Sequence, residues 1–149
     1  TCSKARSRAG IRVGYALGRP HLVDGRERVK NSFNSYPLSS LSVVAALASL
    51  GDAAYFASTI SRITTLRETV TSELEAMGMM VLPSSANFLF ALHPSCPAAR
   101  LMAGLRDRKV LVRHFESPRI NNFLRITIGS ESDCEQLLTA IRQVLVQHA

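Results

Sequence analysis

Thr1-Cys2-Ser3-Lys4-Ala5-Arg6-Ser7-Arg8-Ala9-Gly10-Ile11-Arg12-Val13-Gly14 opens the chain and sets the reading of everything after it. A lysine stands among small hydroxyl residues, and eight positions later an arginine lies between two glycines where an apolar run begins. An amine becomes a nucleophile at neutral pH when desolvation or a nearby cation favours its neutral form. Lys4 has Arg6, Arg8 and Arg12 close in sequence, and small neighbours that would let a ligand approach. Thr1, Ser3 and Arg12 add two hydroxyls and a fork of N–H donors, a set suited to a phosphate dianion. The same residues also describe a solvated lysine on a basic loop, and composition alone favours that plainer reading.

Working outward, the 149 residues suit one domain by default and can bury roughly 70% of their unfolded surface. Apolar residues make up 46% and charged ones 19%, which places the chain among ordinary globular proteins. No run of about eighteen apolar residues exists, so no membrane span is expected. The start has neither an initiator Met nor the apolar segment of a signal peptide, and with so informative a motif at residue 1 we expect a piece of a longer protein. Cys2, Cys96 and Cys134 are widely spaced and odd in number, which argues against a disulfide framework and for a reducing compartment. The four histidines form no ligand-spaced cluster, so no metal is expected. A net charge of +7 invites a nucleic-acid reading. Against it, the basic residues are scattered, and no aromatic residues alternate with them as a stacking platform would need.

Residues 11–17 read as a short strand closed by Gly18-Arg19-Pro20, and 21–33 as a polar-faced helix. After a turn-rich connector, 41–50 is apolar nearly all round and should be buried between layers. Gly51 stops it, and Asp52 can cap the next segment. Phe56, Ile60, Ile63, Leu66, Val70 and Leu74 then recur at helical spacing over 53–77, a long helix ended by Gly78. Strands are expected at 79–82, 87–92, 110–113 and 123–128. Pro97 can open a helix between the second and third, and Ser132-Asp133-Cys134-Glu135 reads as the capping box of a last one. The order helix, strand, strand, helix, strand, strand, helix suits a small α+β domain, with helices on one side of a mostly antiparallel sheet. Residues 1–34 look like the tail of an α/β domain. On a strand, Arg125 would face opposite to Leu124 and Ile126, and Arg113 sits at a strand end; either can be a plain surface charge.

Thr1-x-Ser3-Lys4 followed by Ala9-Gly10-Ile11-Arg12-Val13-Gly14-Tyr15 resembles the cofactor-lysine segment of the class I and II aminotransferases, which are fold-type I pyridoxal-phosphate enzymes. Arg8 departs from the pattern, where an apolar residue is usual. Three further segments resemble the histidinol-phosphate aminotransferase branch. They are Tyr36-Pro37-Leu38-Ser39, Leu82-Pro83-Ser84-Ser85-Ala86-Asn87-Phe88, and Val110-Leu111-Val112-Arg113-His114-Phe115 leading to Phe123-Leu124-Arg125-Ile126-Thr127-Ile128-Gly129. The resemblance runs from residue 1 to about 147.

It implies an α/β family fold, with 1–34 the end of the large cofactor-binding domain, 35–52 a connector with a buried helix, and 53–149 a small C-terminal α+β domain. It also implies pyridoxal 5′-phosphate as cofactor, held by Lys4, with Thr1, Ser3 and Arg12 on its phosphate. Lys4 would serve as general base and acid, Arg125 would bind the substrate's carboxylate and phosphate, and Arg113 its phosphate. Tyr15 would pack beside the lysine. The implied reaction exchanges the amino group between histidinol phosphate or imidazole acetol phosphate and glutamate or 2-oxoglutarate, in a cytoplasmic homodimer with no nucleic-acid or membrane partner. The family's aspartate for the pyridine nitrogen lies upstream of its lysine, so these residues alone are expected to be inactive. Rival readings are a phosphothreonine decarboxylase or aromatic aminotransferase of the same fold, and a non-catalytic basic binding module.

Overall fold

Pro20 has no backbone N–H to leave unsatisfied and a φ preset near the helical value, and α1 (Pro20–Phe33) begins on it. The computed structural model describes residues 2–34 and 38–147, and the chain forms two units, residues 1–60 and 61–149. In the first unit, Ser39 caps α2 (Ser40–Gly51) by accepting from the Ser42 N–H at 3.1 Å. Asp52 Oδ1 accepts from the Tyr55 N–H at 3.0 Å and so opens α3 (Ala53–Ala76), as its position suggests.

Two expectations fail in this unit. Residues 11–17 form no strand; a short 3-10 turn, η1 (Ala9–Ile11), leads into irregular backbone. A strand is held by ladder bonds to a neighbour, and among the described residues none pairs with this run. Nor is α2 buried between layers. Leu41, Val44 and Leu47 are 82%, 63% and 64% exposed, and Ala46 is the residue it buries. An all-round apolar helix needs cover on every side. Among the described residues one side alone is covered, by a small cluster in which Cys2, Val13 and Ile11 gather on Ala46.

In the second unit α3 ends as expected at Gly78, whose φ of +82° is a conformation that suits a residue without Cβ. The Met79 N–H donates back to the Leu74 carbonyl at 3.1 Å. Next in the chain come β1 (Met80–Leu82), β2 (Phe88–Leu92), α4 (Ala98–Asp107), β3 (Arg113–His114), β4 (Leu124–Thr127) and α5 (Glu131–Val146). The sheet order is β1-β2-β4-β3, with every neighbouring pair antiparallel. Alternate residues Leu89 and Ala91 of β2, and Leu124 and Ile126 of β4, are buried. They pack with Val70 and Leu74 of α3, Leu101 and Leu105 of α4, and Ile141 and Val144 of α5 in one core. The helices therefore cover one face of the sheet, and Phe88, Phe90, Arg125 and Thr127 belong to the other.

The third strand is shorter than expected. Lys109 takes a left-handed φ of 64°, and the Val110 N–H donates to the Leu105 carbonyl at 3.0 Å, so residues 110–112 complete the exit from α4 before pairing begins. The last capping box also lies elsewhere. Ser130 is the N-cap and Asp133 its partner. Helix α5 starts directly after Ser130, and the Ser130 N–H and hydroxyl both donate to Asp133 Oδ2, at 2.9 and 2.7 Å.

These two bonds, the hydroxyl's first, hold the Asp133 carboxyl below its ordinary value of 3.8. Arg62, whose Nη2 lies 2.8 Å from Glu131 Oε2, does the same for Glu131. A depressed folded-state value means stability that is complete above the ordinary pKa and lost as pH falls through the folded one. Asp133→Asn in the full-length protein is expected to flatten the loss of stability below about pH 4. Acid-unfolding curves of identical steepness would contradict this.

Candidate functional site

The first group of candidate residues lies on the loop before α1. The Cys2 N–H donates to the Val13 carbonyl and the Arg8 N–H to the Cys2 carbonyl, each at 3.1 Å. These bonds close the loop and set Ser3 and Arg12 each one residue from the same junction. Within it the Ser7 N–H donates to the Lys4 carbonyl at 3.0 Å, and Ser7 and Arg12 take left-handed φ values of 51° and 56°. Lys4 and Arg12 are exposed and Ser3 is half-buried. Arg12 Nη1 donates to the Ala9 carbonyl at 3.2 Å. Thr1 lies outside the described residues.

Residues 2–14 contain Lys4, Arg6, Arg8 and Arg12 and no carboxylate. The donor set thus fits a phosphorylated, aldehyde-bearing ligand: hydroxyl and guanidinium for the phosphate, and an accessible amine for the carbonyl.

Arg6 differs from the other loop cations, and the sequence marks it only as one of them. Its Nη1 donates to the Ser49 carbonyl at 2.5 Å and reaches Asp52's at 3.4 Å, at the C-terminal end of α2. Its guanidinium carbon stands 3.9 Å from the centroid of Phe56. A cation there answers the partial negative charge of the helix end and its unpaired carbonyls. The lysine loop is therefore pinned to the corner where α2 gives way to α3.

The second group lies in the other unit, on the sheet face away from the helices. The registers pair Leu82 with Phe90, Phe90 with Arg125, and Arg125 with Arg113. Residues directly opposite across antiparallel strands share a face, so these four form one row. Arg125 is exposed between buried Leu124 and Ile126, as strand alternation requires. Its guanidinium carbon lies 5.5 Å from the centroid of Phe88 and 5.8 Å from that of Phe115, and Arg113's lies 5.5 Å from Phe115. Phe90 stacks on Phe123 at 5.0 Å with the rings 2° from parallel. Among the described residues no carboxylate pairs with either arginine.

The surrounding loops are tied down. Arg67 Nη1 donates to the Ala86 carbonyl at 3.0 Å. The Asn87 main-chain carbonyl accepts from the Ile128 N–H at 3.0 Å. His114 Nε2 is 2.6 Å from the Asn121 carbonyl, and Asn122 Oδ1 caps α4 by accepting from the Ala98 N–H at 3.1 Å. The phenylalanines do not stand out in the sequence, because each is an ordinary strand residue until the register is known.

Cys2, Cys96 and Cys134 are buried free thiols, and burial pushes Cys96 and Cys134 upward, away from reactivity. Among the described residues no cluster of three His, Cys, Asp or Glu could hold a metal ion. Among them, too, no single helix is long and apolar enough to cross a membrane.

Residues 1–141 match the family described as Aminotransferase class I and II. The chain is 52% identical over 144 residues to histidinol-phosphate aminotransferase 2 of Dechloromonas aromatica, covering 97% of this chain and 40% of that protein. It is 48% identical over 149 residues to the histidinol-phosphate aminotransferase of Gluconacetobacter diazotrophicus, covering 100% of this chain and 42% of that one. The crystal structure of histidinol-phosphate aminotransferase from Sinorhizobium meliloti, in complex with pyridoxal-5′-phosphate, superposes with a TM-score of 0.87 at 26% identity, over 100% of this chain and 40% of that one. The chain thus spans about 40% of the length of the curated relatives it matches. With the lysine loop, the helix-backed antiparallel sheet and these matches in agreement, the chain belongs to the class I and II aminotransferase family.

Proposed function

We propose that these residues serve a pyridoxal-phosphate-dependent transamination in histidine biosynthesis. The pairs exchanged are histidinol phosphate with imidazole acetol phosphate, and glutamate with 2-oxoglutarate. The observation that carries the substrate reading is the Arg113–Arg125 pair: two arginines in register across β3 and β4, on the sheet face away from the helices, with no carboxylate of the described residues to neutralise them. Such a pair suits a doubly charged phosphate monoester better than a single carboxylate. The names of the relatives support the same substrate.

The cofactor would be held by Lys4 through its amine, with Ser3, Arg12 and Thr1 on the phosphate. When bound, pyridoxal phosphate supplies an electron sink for the pair left when the substrate α-carbon loses its proton. Lys4 Nζ takes that proton and returns it, acting as general base and then acid. Ser3 and Arg12 hold the loop's anion fixed while Lys4 moves, and Arg6 keeps the loop itself in place. Arg125 and Arg113 bind the substrate by its anionic end. In this reading residues 1–34 belong to the large cofactor domain, 35–52 to the connector, and 53–149 form the small domain. The full-length enzyme is a cytoplasmic homodimer.

Arg125→Gln in the full-length protein tests the substrate site. Charge-assisted hydrogen bonds contribute about 1.5–3 kcal/mol, so the KM for the phosphorylated amine is expected to rise about 10- to 150-fold. The melting temperature should hold, since Arg125 is exposed. An unchanged KM would refute the assignment. Amino exchange without release of carbon dioxide separates this activity from that of a decarboxylase.

A further inference from the structure

We infer that Phe115 is a positioning residue that holds the Arg113 and Arg125 guanidiniums together without neutralising them, and so sets the affinity of the site for a phosphate dianion. The inference rests on the proposed substrate role of the arginine pair and adds to it the device that makes the pair possible.

Like charges directly opposite on neighbouring antiparallel strands repel, and Arg113 and Arg125 are such a pair. A protein can offset this with a carboxylate between them or with the negative face of an aromatic ring. A carboxylate would occupy the guanidinium donors and cancel the charge that an incoming dianion must meet. A ring leaves both donors free. Phe115 follows β3, two residues beyond Arg113, and so returns to the same face by alternation. Its centroid is 5.5 Å from the Arg113 guanidinium carbon and 5.8 Å from that of Arg125, both within cation–π range.

The ring is itself placed by its surroundings. Phe90, which pairs with Arg125 across β2 and β4, lies 6.3 Å from Phe115 with the rings tilted 50°, and Phe90 is stacked on Phe123. The backbone entering Phe115 is fixed where His114 pairs with Leu124 and its ring meets the Asn121 carbonyl at 2.6 Å. The next residue, Glu116, forms no ion pair among the described residues, so the negative charge nearest in sequence is not spent on the arginines.

The test uses the full-length enzyme with its cofactor and inorganic phosphate as a competitive inhibitor against the phosphorylated amine. Phe115→Leu keeps the apolar bulk and removes the π face. It is expected to raise the phosphate inhibition constant and the KM for the phosphorylated amine by about 3- to 30-fold, with kcat changing less than KM. Phe115→Tyr, which keeps the ring, should restore both constants. Phe115→Met repeats the first arm should the leucine variant melt early. An unchanged inhibition constant in Phe115→Leu, or equal losses in the leucine and tyrosine variants, overturns the inference. Arg125→Gln run alongside separates the two levels. If it weakens phosphate while Phe115→Leu does not, the arginine site stands and the role of Phe115 falls. If Arg125→Gln has no effect, or the unaltered enzyme is not inhibited by phosphate, both fall together.

Discussion

Replacing Lys4 by alanine in the full-length protein is expected to lower turnover by about 100- to 10,000-fold, the usual loss when a positioned general acid–base is removed. The structure makes this a clean substitution. The Lys4 side chain is exposed, and the loop's shape depends on backbone bonds among Cys2, Val13, Arg8, Ser7 and the Lys4 carbonyl, which an alanine preserves. Arg6 anchors the loop from its own contacts with Ser49 and Phe56. Lys4→Arg should fail nearly as badly, because a guanidinium keeps the charge but cannot give up its proton. A second readout does not depend on turnover. Borohydride treatment of the full-length holoprotein should leave the cofactor's mass on the peptide that contains Lys4, and on no peptide of the alanine variant. Full turnover in Lys4→Ala would sink the assignment.

The other large effect concerns the sheet that carries the arginines. Leu105→Ala is expected to destabilise the second unit by about 2–5 kcal/mol. Leu105 is fully buried in the core shared by α3, α4, α5 and the sheet. Its backbone cannot shift to fill the hole, since its carbonyl accepts from the Arg108 and Val110 N–H groups, both at 3.0 Å. Nor can α4 move closer to α5. A Cβ added at neighbouring Gly104 would stand 2.8 Å from Val144 Cγ2, so the helices already touch. Hydrogen exchange of the Leu124 and Ile126 amides in the full-length protein should quicken about 30- to 4,000-fold, the same free energy read as an opening equilibrium. A change below about threefold would mean that the cavity collapses or that the core lies elsewhere.

The second unit is legible in sequence because its signals are local. Helical spacing from Ile63 to Leu74, Gly78 as a stop, and alternation around Leu89 and Leu124 each specify an element without reference to distant residues. What escapes is whatever needs a partner. The run at 11–17 has strand composition but no strand beside it, and α2 has core composition without layers on both sides. Val110, Leu111 and Val112 are claimed by the exit from α4. The capping box shifts to Ser130 because two Ser-x-x-acid frames overlap there, and the helix starts at the first. The candidate sites divide in the same way. Lys4, Ser3 and Arg12 share one short stretch that reads as a basic loop until the family resemblance marks it, and the resemblance also names Arg113 and Arg125, which the register sets opposite each other. Phe115 and Arg6 gain their roles from contacts that no local pattern announces.

The two edge strands have a consequence for the chain's behaviour in a crowded solution. β1 has three residues and β3 has two. An exposed sheet edge is a row of open N–H and C=O groups on which a foreign strand can add, and long flat edges seed aggregates. Here each edge offers hardly more than one pair of bonds, and β3 carries Arg113 at its start. The same two-residue strand that sets the arginines in register thus leaves too little backbone for an intruding chain to grip, so the sheet can keep the face away from its helices uncovered without inviting other strands to join it.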